Sequence, residues 1–166
     1  MSVKNIIQYP NKVLLKKSKK IENLVEAKNI AKDLLDTLNA SKIPGAGLAA
    51  PQIGISKNIC VVRKFYNKDK YKDIVLINPN ILKTSKELVN SLEGCLSIED
   101  TYGYVYRHKK IKIEYTNLQG IKKTLKAEGF LSRVIQHEMD HLEGILFIQK
   151  LIDGKTYTEK ELENQK

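Results

Sequence analysis

The sequence lacks the features that would place a protein in or across a membrane. None of its apolar runs approaches the roughly 20 residues that a helix needs to span a bilayer. Residues 1–10 carry no charged region followed by a long apolar stretch, so no secretory signal is visible. From these two absences we expect a cytoplasmic location and no membrane partner.

Cysteine and arginine are both scarce. The only cysteines, Cys60 and Cys95, are too few for a disulfide framework, and without a secretory signal we expect free thiols or a metal ligand. The net charge is +10, but arginine supplies only three of the 29 basic residues. Because specific phosphate recognition favours arginine forks, the composition argues against a specific nucleic-acid partner. It stays compatible with weak, transient attraction to a polyanionic assembly such as a ribosome.

The length and the composition indicate a globular protein with one domain. Its length of 166 residues, with 42% apolar and 29% charged residues, suits one domain with one core. We therefore predict a single catalytic domain over residues 1–166. Its last part, from about residue 153 to 166, is a polar tail that we expect to fray.

The apolar pattern predicts an α+β fold, with mixed, mostly antiparallel sheets around a central helix. Residues 23–41 have the periodicity of an amphipathic N-terminal helix with Asn23 as its cap. Alternating or continuous apolar runs predict strands joined mainly by hairpin turns. A break is expected at Asn78-Pro79, and a kink near residues 108–110. The predicted strands are residues 58–65, 73–82, 87–91, 102–115 and 122–127. The short apolar run at residues 145–148 is predicted to be a strand or a docked segment.

The central helix is predicted over residues 130–143, and it carries the motif His137-Glu138-Met139-Asp140-His141. Residues four apart lie on one helix face, so His137 and His141 are placed to hold one metal ion. Glu138 is rotated by about 100° from His137, which puts its carboxylate beside that ion as a general base. A catalytic site of this kind normally has a third protein ligand and one open position.

Two other segments offer a candidate third ligand and a candidate loop that lines the site. Residues 43–54 are apolar yet contain three glycines and two prolines, and Gln52 is the one polar side chain at their centre. This pattern indicates either a tight structural turn or a loop that lines a site. Cys95 lies in Glu93-Gly94-Cys95-Leu96-Ser97. As a thiolate it would complete a Cys-His-His site, and the alternative is a plain buried cysteine.

Together these segments resemble the three motifs of the peptide deformylases. They read GAGLAAPQ at residues 45–52, EGCLS at residues 93–97 and QHEMDH at residues 136–141. They occur in the same order and at similar separations as in that family, and the resemblance covers residues 5 to 150. It implies a hydrolase that removes the N-formyl group from the initiator formyl-methionine of nascent polypeptides and releases formate.

The resemblance also implies a metal and a base. The family holds one divalent ion, commonly Fe²⁺, with ligands that here would be Cys95, His137 and His141. The same ligand types also accept Zn²⁺, Ni²⁺ or Co²⁺. Glu138 would take a proton from the attacking water and pass it to the leaving amine.

Further residues are carried over from the family in the same way. The Gln52 side-chain amide and the Leu96 backbone N–H would stabilise the oxyanion. Gly47 would line the wall nearest the substrate backbone. Phe130 and Val134, one helical turn apart, are candidates for the pocket that receives the methionine side chain.

The sequence departs from the family at several points. Glu99 stands where many relatives have proline, and Arg133 stands where an apolar pocket residue is often seen. Some relatives end in a long basic helix that docks on the ribosome, whereas this tail is short and carries glutamates. Ribosome association therefore stays open, and that mode of docking is not expected.

Two other classes of function compete with this interpretation. A His-Glu-x-x-His zinc peptidase would need a third histidine, where Phe147 stands, or a glutamate from the tail, such as Glu159 or Glu161. A non-catalytic binding protein with a structural metal would need four ligands. Only three ligands are evident, and a carboxylate in the position of a general base favours a catalytic site over a structural one.

Overall fold

The computed structural model describes residues 3–164, and a five-stranded antiparallel sheet forms its centre. The strands lie in the order β1-β2-β3-β6-β7. Their bounds are β1 Gly47–Ala49, β2 Ile59–Phe65, β3 Tyr71–Thr84, β6 Lys110–Thr116 and β7 Lys122–Glu128. A separate two-stranded ribbon pairs β4 (Leu88–Cys95) with β5 (Ile98–His108), also antiparallel. The predicted α+β class with mostly antiparallel sheets is confirmed.

Three α-helices accompany these sheets. They are α1 (Leu24–Ala40), α2 (Gly129–Leu142) and the short α3 (Glu159–Glu163). As predicted, Asn23 caps α1: its side chain accepts hydrogen bonds from the backbone N–H groups of residues 25 and 26. None of the helices within residues 3–164 is both long enough and apolar enough to cross a membrane.

Strand β2 is the reason that α1 and α2 lie on opposite faces of the main sheet. Its residues alternate between two buried apolar clusters: Ile59 and Val61 pack towards α1, and Cys60 and Val62 pack towards α2. All four are fully buried, and each buried branched side chain contributes about 1.5–3 kcal/mol. This packing fixes α2 against the sheet, and α2 is the helix that carries the candidate site.

Three sequence predictions about the strands are corrected in part by the structure. The kink predicted near residues 108–110 is the junction between β5 and β6, but these two strands belong to different sheets. Asn78 does not break β3: it takes φ +49° in a bulge, and its side chain bonds both backbone groups of Ile21. The apolar run after α2, predicted as a strand or a docked segment, is a docked segment: Leu146 and Phe147 are buried, and the run enters a 3-10 helix at Phe147–Lys150.

The tail does not fray as expected over its described part. Leu151 and Tyr157 make backbone bridges to Val105 and Tyr102 of β5. Thr158 then caps α3. The polar composition misled the prediction, because backbone hydrogen bonds to β5 and the edge-on contact of Tyr157 with Tyr104 hold this segment.

Candidate metal centre and active site

Helix α2 and the end of strand β4 bring the predicted ligands together. His137 and His141 are four residues apart on α2, with their ring centroids 5.0 Å apart, and Cys95 is the last residue of β4. The three candidate ligand atoms all lie within 4.8 Å of one another. The Cys95 Sγ is 3.2 Å from Nε2 of His141. These distances between the ligand atoms are close to those that bonds of about 2.0–2.3 Å to one shared metal ion allow.

The two imidazoles are oriented differently by their surroundings. Nδ1 of His137 lies 2.9 Å from Oε2 of Glu93, which leaves Nε2 as the nitrogen available to a metal. Burial lowers the pKa of His137, but hydrogen bonds to Cys95 and Glu93 outweigh it and raise the pKa above its ordinary value. For His141, burial and the charge of His137 lower the pKa. A thiol and two imidazole nitrogens converging in this way fit a divalent transition metal with three protein ligands.

A buried ionic network holds His137 from behind. Arg107 donates two hydrogen bonds to Glu93, from Nε at 2.8 Å and from Nη2 at 2.9 Å, and both side chains are 4% exposed. A third bond runs from Nη1 of Arg107 to Asp140, which also pairs with Lys150. Burial raises the pKa of Glu93, but the bonds from Arg107 and His137 outweigh it and lower the pKa to about 2. The carboxylate is thus charged and fixed in place.

Glu93 and Arg107 have functional positions that the sequence predictions missed. A signal was present for Arg107, because it follows Val105 by two residues and so shares the buried face of the strand. A buried arginine requires a carboxylate partner. Glu93 lies in the same motif as Cys95, but nothing in the sequence indicates that its side chain contacts both Arg107 and His137.

Glu138 faces the same space from a position that excludes bulk water. It is 4% exposed, and its Oε2 is a buried oxygen without a hydrogen-bond partner among the described residues. Burial raises the pKa of Glu138 to about 7. A Cβ added to Gly47 would lie 2.6 Å from Oε1 of Glu138, so only glycine fits beside this carboxylate.

The segment of residues 43–54 lines the site, as one of its two interpretations predicted. After β1 it turns into a 3-10 helix at Ala50–Ile53. Oε1 of Gln52 accepts a hydrogen bond from the Ala49 N–H at 2.9 Å. This bond turns Nε2 of Gln52 towards Ser97 Oγ at 3.2 Å and Cys95 Sγ at 3.5 Å. The side-chain N–H groups of Gln52 therefore point at Ser97 and at the proposed metal ligand Cys95.

A cleft of about 290 Å³ opens onto these side chains. Leu96 lines it, together with the three predicted substrate-binding residues, Gly47, Phe130 and Val134. Val134 is 7% exposed and forms part of the wall, whereas Phe130 is 47% exposed and forms the rim. Glu99 and Arg133, the departures from the family pattern, also line the cleft.

The turn between β4 and β5 and the first residues of β5, together residues 96–100, are held from both ends of the chain. Nε2 of Gln8 donates to the Leu96 carbonyl at 2.9 Å, and the N–H of Tyr9 donates to the Ser97 carbonyl at 2.9 Å. From the other end, the N–H of Glu159 donates to Oδ1 of Asp100 at 2.8 Å. The segment that borders Cys95 thus depends on residues distant in sequence.

Three convergent ligands beside a buried carboxylate, within an α+β fold, define a metal-dependent hydrolase. The family model for polypeptide deformylases matches residues 3–157. A peptide deformylase from Pelagibacter ubique is 43% identical over 153 residues, which are 91% of this chain and 87% of the relative. Peptide deformylase 1 of Bacillus subtilis is 41% identical over 163 residues, which are 98% and 97% of the two chains.

A solved structure gives the same result. The peptide deformylase from Ehrlichia chaffeensis in complex with actinonin superposes with a TM-score of 0.85 at 34% identity, covering 91% of this chain and 90% of that one. The chain therefore belongs to the peptide deformylase family. Its members are metal-dependent hydrolases that remove the N-formyl group from nascent polypeptides.

Proposed function

We propose that this single catalytic domain deformylates formyl-methionine at a site whose metal is held by Cys95, His137 and His141 and whose base is Glu138. The observation that carries the proposal is the juxtaposition of three ligand atoms within 4.8 Å and a buried carboxylate with an unpartnered oxygen. A buried carboxylate oxygen without a partner is costly, so its presence favours a functional role.

The metal that we propose is Fe²⁺, and the same donors also accept Zn²⁺, Ni²⁺ or Co²⁺. When bound, such an ion acts as a Lewis acid that lowers the pKa of water and polarises a carbonyl oxygen. Glu93 keeps His137 in the tautomer that presents Nε2 to the ion. Elemental analysis of protein purified without oxygen would identify the metal.

Glu138 moves the proton in this proposal. Its carboxylate takes a proton from the water that attacks the formyl carbon, and then gives a proton to the methionine nitrogen as the C–N bond breaks. Formate and the free amine result. A pKa of about 7 suits a group that must both accept and donate a proton near neutral pH.

Gln52 and Leu96 would stabilise the oxyanion that develops on the formyl oxygen. The Nε2 amide of Gln52 is held by the bond between its Oε1 and Ala49, so it costs little to orient. The backbone N–H of Leu96, next to Cys95, is the second proposed donor. Loss of one such donor lowers kcat by about 10²–10³-fold.

Substrate binding would use the walls of the cleft. Gly47 lets the substrate backbone approach Glu138 closely, because any side chain there would clash with that carboxylate. Val134 and Phe130 form the apolar surface for the methionine side chain. The substrate is then the N-terminus of a nascent polypeptide, and the proposed location is the cytoplasm.

Any contact with the ribosome would be transient and electrostatic. The net charge of +10 favours attraction to a polyanion, whereas α3 carries Glu159, Glu161 and Glu163 in place of a basic helix. Cosedimentation with ribosomes should therefore occur at low salt and be lost near physiological ionic strength. Cosedimentation that resists salt would contradict an electrostatic contact.

The deciding assay is formate release from a formyl-Met peptide by iron-loaded protein kept free of oxygen. Cys95→Ala should lose the metal and the activity, while Cys60→Ala, which changes the other cysteine, should keep both. Glu138→Gln should keep the metal and lose turnover. Glu143→Gln, at the exposed end of α2, is its control. Full metal retention by Cys95→Ala, or wild-type turnover by Glu138→Gln, would overturn the assignment.

A further inference from the structure

Three exposed aromatic rings continue the surface of the cleft beyond its rim. Phe130, Phe65 and Tyr71 form this aromatic strip, and they are 47%, 41% and 44% exposed. The ring centroids of Phe130 and Phe65 are 5.9 Å apart, and those of Phe65 and Tyr71 are 5.6 Å apart. Phe130 lines the cleft, so the strip begins at the site itself. None of the three rings belongs to the two buried clusters found among residues 3–164.

Two arginines hold the strip at its ends. The guanidinium of Arg133 lies 4.8 Å from the ring centroid of Phe130, and that of Arg63 lies 4.5 Å from the ring centroid of Tyr71. Arg63 is itself fixed, because its Nε donates to Asp73 at 3.1 Å. The rings are therefore ordered before any ligand arrives, which lowers the entropic cost of binding on them.

The spacing of the rings matches an extended peptide. A β-strand rises about 3.3 Å per residue, and alternate side chains point to the same side, roughly 6.6 Å apart. If the methionine side chain enters the cleft beside Phe130 and Val134, residues 3 and 5 of the substrate face the same way. Their spacing is close to the ring-to-ring steps of 5.9 Å and 5.6 Å.

We infer that the aromatic strip binds apolar side chains at positions 3 and 5 of the nascent polypeptide, with Phe65 and Tyr71 as specificity-determining residues. This inference rests on the proposed deformylase function and adds a preference that extends beyond the formyl-methionine. A second copy of this chain is a poorer occupant. Three half-exposed rings offer under about 400 Å², whereas a stable dimer buries about 800 Å² on each partner.

The aromatic strip lies away from the reacting carbon, so its contacts stabilise the bound ground state and the transition state equally. Such uniform binding lowers KM and leaves kcat unchanged. Each aromatic contact of ordinary strength would raise kcat/KM by about twofold to twelvefold. Position 4 points away from the strip and should have no such effect.

The experiment uses the iron-loaded protein and formyl-Met pentapeptides with alanine at the remaining positions. Phenylalanine is compared with serine at position 3, position 4 and position 5 in turn. We expect KM to fall for phenylalanine at positions 3 and 5, and no change at position 4. Equal KM values across the series would overturn the inference, and so would an equal gain at position 4. Turnover of formyl-Met-Ala in the same assay tests the proposed function separately.

The variants Phe65→Ala and Tyr71→Ala should bring the phenylalanine-to-serine ratio of kcat/KM close to one. Tyr66→Ala is the matched control, because Tyr66 is 56% exposed in the same hairpin and contacts Lys64 instead of the strip. A ratio that survives both strip variants would overturn the inference. So would a concentration-dependent dimer that Phe65→Ala dissociates, since the strip would then bind a second copy. The substrate series on unmodified protein decides the matter even if a variant fails to fold.

Discussion

Replacement of Arg107 by methionine tests whether the buried network positions the metal ligand. Methionine keeps much of the volume of arginine but removes the donors at 2.8 Å and 2.9 Å from Glu93. Glu93 is 4% exposed, so water cannot replace those donors. Removal of one partner of a buried ion pair costs about 3–5 kcal/mol, because the remaining charge is left buried. For a chain of this size, about 2–4 °C of Tm is lost per kcal/mol, so we expect a fall of roughly 6–20 °C.

The measurement is thermal unfolding of metal-free protein, followed by circular dichroism. Lys109→Met is the matched control on the adjoining turn, because Lys109 pairs with Glu87 at the surface. An exposed pair contributes about 0–1 kcal/mol, so this control should lose at most a few degrees. The reasoning is refuted if Arg107→Met loses less than about 1 kcal/mol, or if the two variants are equally destabilised.

The same variant should also bind its metal less tightly. Without Arg107, Glu93 is no longer fixed against His137, and a change of this kind lowers metal affinity by about 10–100-fold. The double variant Arg107→Met with Glu93→Met removes the orphaned charge and should recover part of the lost stability. It should not recover metal affinity, because the second substitution removes the Glu93 carboxylate that contacts His137. Recovery of both properties would show that the network serves folding alone.

Other perturbations test the site and its frame. Gly47→Ala should lower kcat by about 100-fold with the fold retained, because the new Cβ displaces Glu138. Gly144→Ala should reduce the free energy of unfolding by about 1–3 kcal/mol for its φ of +75° alone. Gly144→Ala should lose more unfolding free energy than Gly154→Ala. Residue 154 has a similar φ, but a Cβ there would enter open space, whereas a Cβ at residue 144 would lie 2.7 Å from the backbone of Leu15. Equal losses in a urea titration would contradict the clash. Metal removal by a chelator should abolish turnover and lower Tm, yet leave cooperative unfolding, because both apolar clusters lie outside the ligand set.

The features that local rules govern could be predicted from the sequence. Asn23 caps α1 through its own side chain, and the four-residue spacing of His137 and His141 needs only a helix to place both rings on one face. The strand-like runs at residues 58–65 and 73–82 sufficed to predict the hairpin that β2 and β3 form. Cys95 could be proposed as the third ligand because a thiolate would complete a Cys-His-His site, but the alternative of a plain buried cysteine stayed open until the fold brought it to the two histidines.

The features that sequence analysis missed depend on contacts between distant residues. Arg107 meets Glu93 because β5 returns alongside β4, and Glu93 then meets His137 on α2. The predicted kink near residues 108–110 marks the boundary between β5 and β6, but no local pattern shows that the chain passes there from one sheet to the other. The tail is ordered by pairing with β5, which its polar composition does not indicate.

The hydrogen bonds that hold residues 96–100 affect how the protein should be handled. Gln8 and Tyr9 hold the turn between β4 and β5, and Glu159 holds Asp100 at the start of β5. A fusion partner or affinity tag at either terminus would therefore be tethered a few residues from the frame of the active site. Kinetic constants from tagged material can reflect strain on that frame, so tags should be cleaved before substrates or inhibitors are compared.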